Sequence, residues 1–267
     1  MKPKVSFITG VKNRAPELKE MLQSLIQQDM PEWEAIIVDD HSYEPIEKVV
    51  KEFNDERLHY YRLPKEEKGI CYGRNLAVSM AQAEIMLTAD GDDISRSHRA
   101  RTTYEIMTKN NCDVFYCNLE YFIAEENKKW TTTFQPFNAE LFKIFNFVTN
   151  PGTAFKKGKF LEIGGFDPEF KLSEDYDLWL RMSNAGAKFC YTKEILVNYR
   201  RGPESTSTKN FGQMHEYIQK TRIKNHIPPF NIEDVEKYAL PEIAKNILSE
   251  KGRLLWQDDR FKKNEGK

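Results

Sequence analysis

The chain has 267 residues, a formal net charge of −1, 40% hydrophobic residues and 30% charged residues. That length buries a core as one large domain or two fused halves, and the composition is that of a folded chain, not a disordered one. The near-neutral balance gives no global basic field for nucleic acid. Cys71, Cys112, Cys117 and Cys190 form no CxxC pair, which favours reduced thiols, a cytoplasmic setting and no zinc site.

The opening stretch, MKPKVSFITG, enters a short apolar run interrupted by Ser6 and Thr9. It lacks the longer apolar region and small-residue cleavage site of a signal peptide. No run reaches the roughly 20 apolar residues that span a bilayer. The expectation is a soluble cytoplasmic protein, with peripheral attachment to the inner face of a membrane left open.

In chain order, Val5–Thr9 reads as a buried strand. The helix that follows carries Leu18, Met21, Leu22, Leu25 and Ile26 on one face, with Pro16 in its first turn. EAIIVDD is a second strand, and Ile46, Val49, Val50 and Phe53 mark a second helix. LHYYRL, GRNLAVSMAQA and EIMLTAD continue as strand, helix and strand. This alternation predicts an α/β protein with a mostly parallel sheet flanked by helices. From about Arg99 the pattern loosens. DVFYCNLEYFI is a long strand, WTTTF a shorter partner, NAELFKIFNF a helix, SEDYDLWLRMSNAG a helix closed by Gly186, and KFCYTKEILVNYR a further strand. RRGPESTSTKN suits a lid-like loop, and helical patterns follow from about Phe211.

In open α/β sheets, ligands bind beyond the carboxyl ends of the strands. Lys12 and Asn13 fall there after the first strand, Asp39 and Asp40 after the second, and Asp90, Asp92 and Asp93 after the fourth. Like charges this close raise the cost of ionising one another unless water or a cation relieves them. Carboxylate clusters suit hard divalent cations, Mg²⁺ or Mn²⁺, which keep coordination sites for phosphate oxygens. An Asp–Gly–Asp turn also follows strands for conformational reasons alone. Ile94 and Arg96 break the pattern of an EF-hand loop. Arg74 suits a phosphate or a pyrimidine edge, and equally a surface ion pair. In the Glu174–Asp175 pair, a helix-capping role competes with a chemical one.

Taken in order, VSFITGVKNR, WEAIIVDDHS, GICYGRNLAVSMAQAEIMLTADGDD, GGFDPEF…SEDYDLWLRMSNAG and VNYRR resemble the family 2 glycosyltransferases over residues 3–205. The resemblance implies a GT-A fold, a Rossmann-like central sheet with a smaller mixed acceptor-side sheet and a helical C-terminal tail. It implies a nucleotide-binding half over residues 1–98, an acceptor-binding half over 99–205, and a lid loop and helical extension over 206–267. The activity implied is inverting transfer of a sugar from a nucleotide-diphosphate donor, most commonly UDP-linked, to a hydroxyl of a glycan or lipid-linked acceptor on a bacterial surface glycan. Asp40, with Asp39 beside it, would contact the base, Asp90 the nucleotide, and Arg74 would lie near it. Asp92 or Asp93 would hold Mn²⁺ or Mg²⁺, with His215 as a further candidate ligand. Asp175 would be the general base, with Asp177 its local competitor.

The chain departs from the family pattern at Val11-Lys12-Asn13-Arg14, which lacks the usual aromatic partner for the base, and at His41, where glycine is usual. Trp130, Phe134, Phe137 and Trp179 suit either stacking on acceptor sugars or the core. Tyr199, Arg200 and Arg201 fall near the expected site. Two other readings share the fold: a non-catalytic sugar-binding scaffold, and a sugar-1-phosphate nucleotidyltransferase. The second requires a glycine-rich phosphate loop that GVKNR does not supply.

Overall fold

The computed structural model describes residues 1–124, 126–202 and 209–227. Most of the lid-like loop and the tail beyond residue 227 lie outside the described residues. The amino-terminal half alternates β1 (Val5–Val11), α1 (Ala15–Ile26), β2 (Trp33–Asp39), α2 (Ile46–Glu52), β3 (Leu58–Arg62), α3 (Ile70–Met80) and β4 (Ile85–Thr88). Then come β5 (Ile94–Ser95), α4 (Arg99–Asn110), β6 (Val114–Ile123), β7 (Lys128–Thr131), α5 (Ala139–Ile144), β8 (Ala154–Lys156), α6 (Lys157–Glu162), α7 (Glu174–Asn184), β9 (Phe189–Arg200) and α8 (Phe211–Lys224).

The strands run β3-β2-β1-β4-β8-β6-β9-β5, with β7 paired to β6. β1 pairs in parallel with both β2 and β4, so the strand order reverses at β1 and opens a crevice above it. β8 enters antiparallel between β4 and β6, so the mixed strands of the second half extend the same sheet. Side chains alternate across each strand. Phe7 and Ile37 join Leu18, Leu22 and Leu25 on one face, while Ile8, Ile36 and Val38 join Phe155, Phe166 and Trp179 on the other. Burial on both faces explains why these strands read as continuous apolar runs.

Helix α3 starts at Ile70, ahead of the Gly73 start that the pattern suggests, because Gly69 turns the chain with φ 105°. Its first turn lies so close to β1 that a Cβ on Gly10 would sit 2.8 Å from Ile70 Cδ1. Glycine permits that approach and brings Arg74 over the crevice.

Cys112 and Cys190 form a disulfide, contrary to the expectation of four reduced thiols. Parallel pairing of β6 with β9 places Phe115 opposite Cys190, next to the end of α4. A separation of 78 residues hides that proximity in the sequence. Cys71 and Cys117 are free and buried. Among the described residues, no helix is long and apolar enough to cross a membrane.

Candidate active site

A cleft of about 610 Å³ opens above the carboxyl ends of β1, β2 and β4. Its walls include Lys12, Arg14, Asp40, Arg74, Asp90, Asp92, Asn150, Glu174, Asp175, Tyr199 and Arg200. Residues from turns far apart in sequence therefore meet on one rim.

Of the two aspartates after β2, only Asp40 lines the cleft. Lys12 Nζ lies 3.4 Å from Asp40 Oδ2, while Asp40 Oδ1 is buried without a partner among the described residues. Asp39 is 1% exposed and is engaged elsewhere. It accepts hydrogen bonds from Ser42 N at 2.8 Å and Tyr60 Oη at 2.9 Å, and Arg62 lies 3.5 Å away. Burial, followed by this contact with Asp39, pushes the Tyr60 phenol up to about 12. Asp39 thus secures the β2–β3 edge and does not line the cleft.

Arg74 is buried and donates to Asp90 at 2.6 Å and to Glu174 at 2.6 Å. Burial opposes its charge, but the two carboxylates outweigh that and raise its pKa. Asn150 Nδ2 reaches the same Asp90 carboxylate at 3.0 and 3.1 Å. Asp92 pairs with the Arg14 guanidinium. Its carboxyl is held above the usual range by burial and then by Asp90, with Arg14 acting in the opposite direction. Asp93 is buried below the rim. Its Oδ1 accepts from Arg200 N at 2.9 Å, and its Oδ2 has no partner among the described residues. Burial, then Asp92 and Asp90, holds the Asp93 carboxyl well above the usual range. Asp92 therefore faces the cleft, whereas Asp93 supports the turn.

The Glu174–Asp175 pair begins α7, where Ser173 adopts φ 58°. Ser173 does not cap the helix through its side chain; its Oγ lies 3.0 Å from Met214 Sδ. Asp175 lines the cleft and accepts hydrogen bonds from Asn150 N at 3.2 Å and Tyr176 N at 2.8 Å. Burial and then the neighbouring Glu174 push its carboxyl up to about 7, against those hydrogen bonds and Arg74. Such a group exchanges its proton near neutral pH. Asp177, its competitor, is fully buried away from the cleft. It binds Arg181 at 2.7 Å, Lys224 at 3.0 Å and Asn225 at 3.2 Å, tying α7 to α8.

His215 falls on α8, but its side chain lies outside the described residues. Among the described residues, no three His, Cys, Asp or Glu side chains converge as a preformed metal-ligand group. His41 spans Pro64 O and Glu67 O at 3.1 and 3.0 Å, a loop brace. Of the four aromatics suited to stacking, Trp179 is fully buried, and Phe134 and Phe137 pack against the cores. Trp130 is 40% exposed and stacks on Tyr121, which lines the cleft. Asn150 is the residue that pattern reading passes over. It sits in a short 3₁₀ turn before Pro151-Gly152, and only tertiary contact with Asp90 and Asp175 reveals it.

A mixed sheet whose parallel strands β3, β2, β1 and β4 end in a carboxylate- and arginine-lined crevice is the architecture of a nucleotide-sugar transferase of the GT-A type. The profile of "Glycosyl transferase family 2" matches residues 6–162, and the chain belongs to that family. An Escherichia coli UDP-Gal:alpha-D-GlcNAc-diphosphoundecaprenol beta-1,3-galactosyltransferase is 27% identical over 260 residues, covering 91% of this chain and 90% of its own. Staphylococcus aureus TarS, crystallised with UDP-GlcNAc, superposes with TM-score 0.67 at 17% identity over 92% of this chain and 70% of its own. The mannosyltransferase PcManGT of Pyrobaculum calidifontis, in complex with GDP-Man and Mn²⁺, superposes with TM-score 0.59 at 14% identity over 98% and 83%. The chain is thus a family 2 glycosyltransferase with the GT-A fold.

Proposed function

We propose that this glycosyltransferase inverts configuration at the anomeric carbon, moving a sugar from a UDP-linked donor to a hydroxyl of a glycan or lipid-linked acceptor. The observation that carries this reading is Asp175, a cleft carboxylate poised near neutrality across the Asn150 turn from Asp90. A base of that kind accepts the acceptor hydroxyl proton as the oxygen attacks, and contributes about 10²–10⁴-fold to such a step. Asp40 has a buried oxygen on the cleft wall, without a partner among the described residues, which suits hydrogen-bond donors on a nucleotide base. Asp90, fixed by Arg74 and Asn150, lies where the nucleotide would pass.

The residues fit a hard divalent cation, since the donors at the rim are carboxylate oxygens and Asp92 is burdened by burial and by Asp90. Asp92 would hold Mn²⁺ or Mg²⁺, with Asp93 bracing the loop behind it. When bound, the ion supplies a positive centre for the departing diphosphate. Arg74 keeps Glu174 paired, so that Asp175 is the carboxylate of this turn left to take a proton.

The UDP preference draws on the name of the galactosyltransferase and on the TarS complex with UDP-GlcNAc, and the lipid-linked acceptor on the name of the former. The reading places the chain in the cytoplasm, at the inner face of the membrane where a lipid-linked acceptor is presented. A thermal-shift panel of UDP, GDP, CMP and dTDP, each with and without Mn²⁺, tests it. UDP with Mn²⁺ should raise the melting temperature, since ligand at one hundred times its Kd adds about 2.7 kcal/mol. No shift with any pair, from folded protein, would contradict the proposal.

A further inference from the structure

Arg14 and the residue before it are built unusually for a simple surface arginine. Asn13 and Arg14 have φ of 61° and 62°, two adjacent non-glycine residues in the left-handed region. Each is disfavoured there and persists only where its surroundings impose it. The imposing contacts are explicit. Asn13 N donates to Ser42 Oγ at 2.7 Å, Tyr43 N donates to Asn13 Oδ1 at 3.1 Å, and Ala15 N donates to Glu44 Oε2 at 2.6 Å. This turn delivers the Arg14 guanidinium onto the Asp92 carboxylate inside the cleft. From the other side, Arg200 Nε donates to the Asp92 carbonyl at 2.9 Å while its Nη2 holds Glu20 on α1 at 2.6 Å. Both ends of the Asp92 turn are thereby fixed against α1.

A guanidinium on a carboxylate satisfies the charge that a divalent cation would satisfy. Two cations on one carboxylate repel each other, and a further anion between them lessens that repulsion. A nucleotide diphosphate supplies such an anion, and arginine suits phosphate oxygens as well as it suits a carboxylate. We propose that Arg14 is a resident counter-ion. It holds Asp92 while the cleft is empty and yields it to the divalent cation when a diphosphate arrives to take the guanidinium. Metal and nucleotide then bind as a coupled pair, each raising the affinity of the other by the same factor. The exchange would give up the Arg14–Asp92 pair for an Arg14–phosphate pair and a cation held by Asp92 and the diphosphate, with no covalent step. This inference rests on the reading of Asp92 as the metal ligand.

The test is a Mn²⁺ titration of the full chain followed by EPR of the free ion, alone and with UDP or GDP, for wild type, R14Q, R14G and D92N. R14G guards against misfolding, because glycine adopts the positive φ of this position freely. For wild type, Mn²⁺ alone should bind weakly and tighten with nucleotide. R14Q and R14G should bind Mn²⁺ alone about tenfold more tightly than wild type, as expected on removing a charged competitor, and the nucleotide-dependent gain should shrink. Equal or weaker Mn²⁺ affinity in both Arg14 variants, without nucleotide, overturns the counter-ion role. The D92N arm separates the two readings. Mn²⁺ binding that survives D92N shows that the ion is not at Asp92 and overturns the metal assignment itself. Binding lost in D92N but indifferent to Arg14 overturns this inference alone.

Discussion

Replacing Asp175 by Asn should change how stability depends on pH. A carboxyl raised in the folded state holds its proton more tightly folded than unfolded. Native stability is therefore fullest below its ordinary value of 3.8 and falls as pH rises through about 7. At about 1.4 kcal/mol per pH unit, the full interval corresponds to up to about 4 kcal/mol, and water in the open cleft reduces it. Asn keeps the shape and one oxygen, enough for either the Asn150 or the Tyr176 amide, at a cost that does not vary with pH, and it has no charge to bury. Urea unfolding at about pH 5 and about pH 8.5 should show D175N gaining about 2–3 kcal/mol on wild type across that span. Parallel stability curves for the two proteins would refute the claim that burial and Glu174 raise this carboxyl.

R74M should destabilise the protein by about 3–5 kcal/mol in urea at neutral pH, because it leaves Asp90 and Glu174 without their shared buried cation. D177N should lower stability by a similar order, about 3 kcal/mol, through loss of its pairs to Arg181 and Lys224, while nucleotide affinity measured by calorimetry stays unchanged. Reducing the Cys112–Cys190 disulfide, or replacing both residues by Ser, should cost about 2–4 kcal/mol by freeing a long loop in the unfolded chain, measured by urea unfolding.

The amino-terminal half is legible because its strands are buried on both faces and its helices are amphipathic, so that period and breakers mark each element. α4 is harder to read. Its inward face uses Thr102 and Thr103 beside Ala100 and Met107, so polarity does not betray burial. β8 and β5, at three and two residues, are too short to carry a period. The site shows a sharper limit. Pattern reading marks Asp39–Asp40, Asp92–Asp93 and Glu174–Asp175–Asp177 as acidic groups, but adjacent residues diverge in direction. Which carboxylate faces the cleft is settled by Tyr60 drawing off Asp39, Arg200 N holding Asp93, and Arg181 with Lys224 enclosing Asp177. Asn150 and the disulfide depend on contacts across 60 and 78 residues, and no local pattern announces either.

The claim at the centre of this account is that Asp175 takes the acceptor proton in a transfer from a nucleotide-sugar. Single-turnover transfer from UDP-sugar to a lipid-linked acceptor by D175N, with the Kd for UDP and Mn²⁺ measured on the same preparation, tests it most directly. The account predicts transfer slowed by about 10²-fold or more with nucleotide affinity unchanged. Transfer at the wild-type rate by D175N would contradict it.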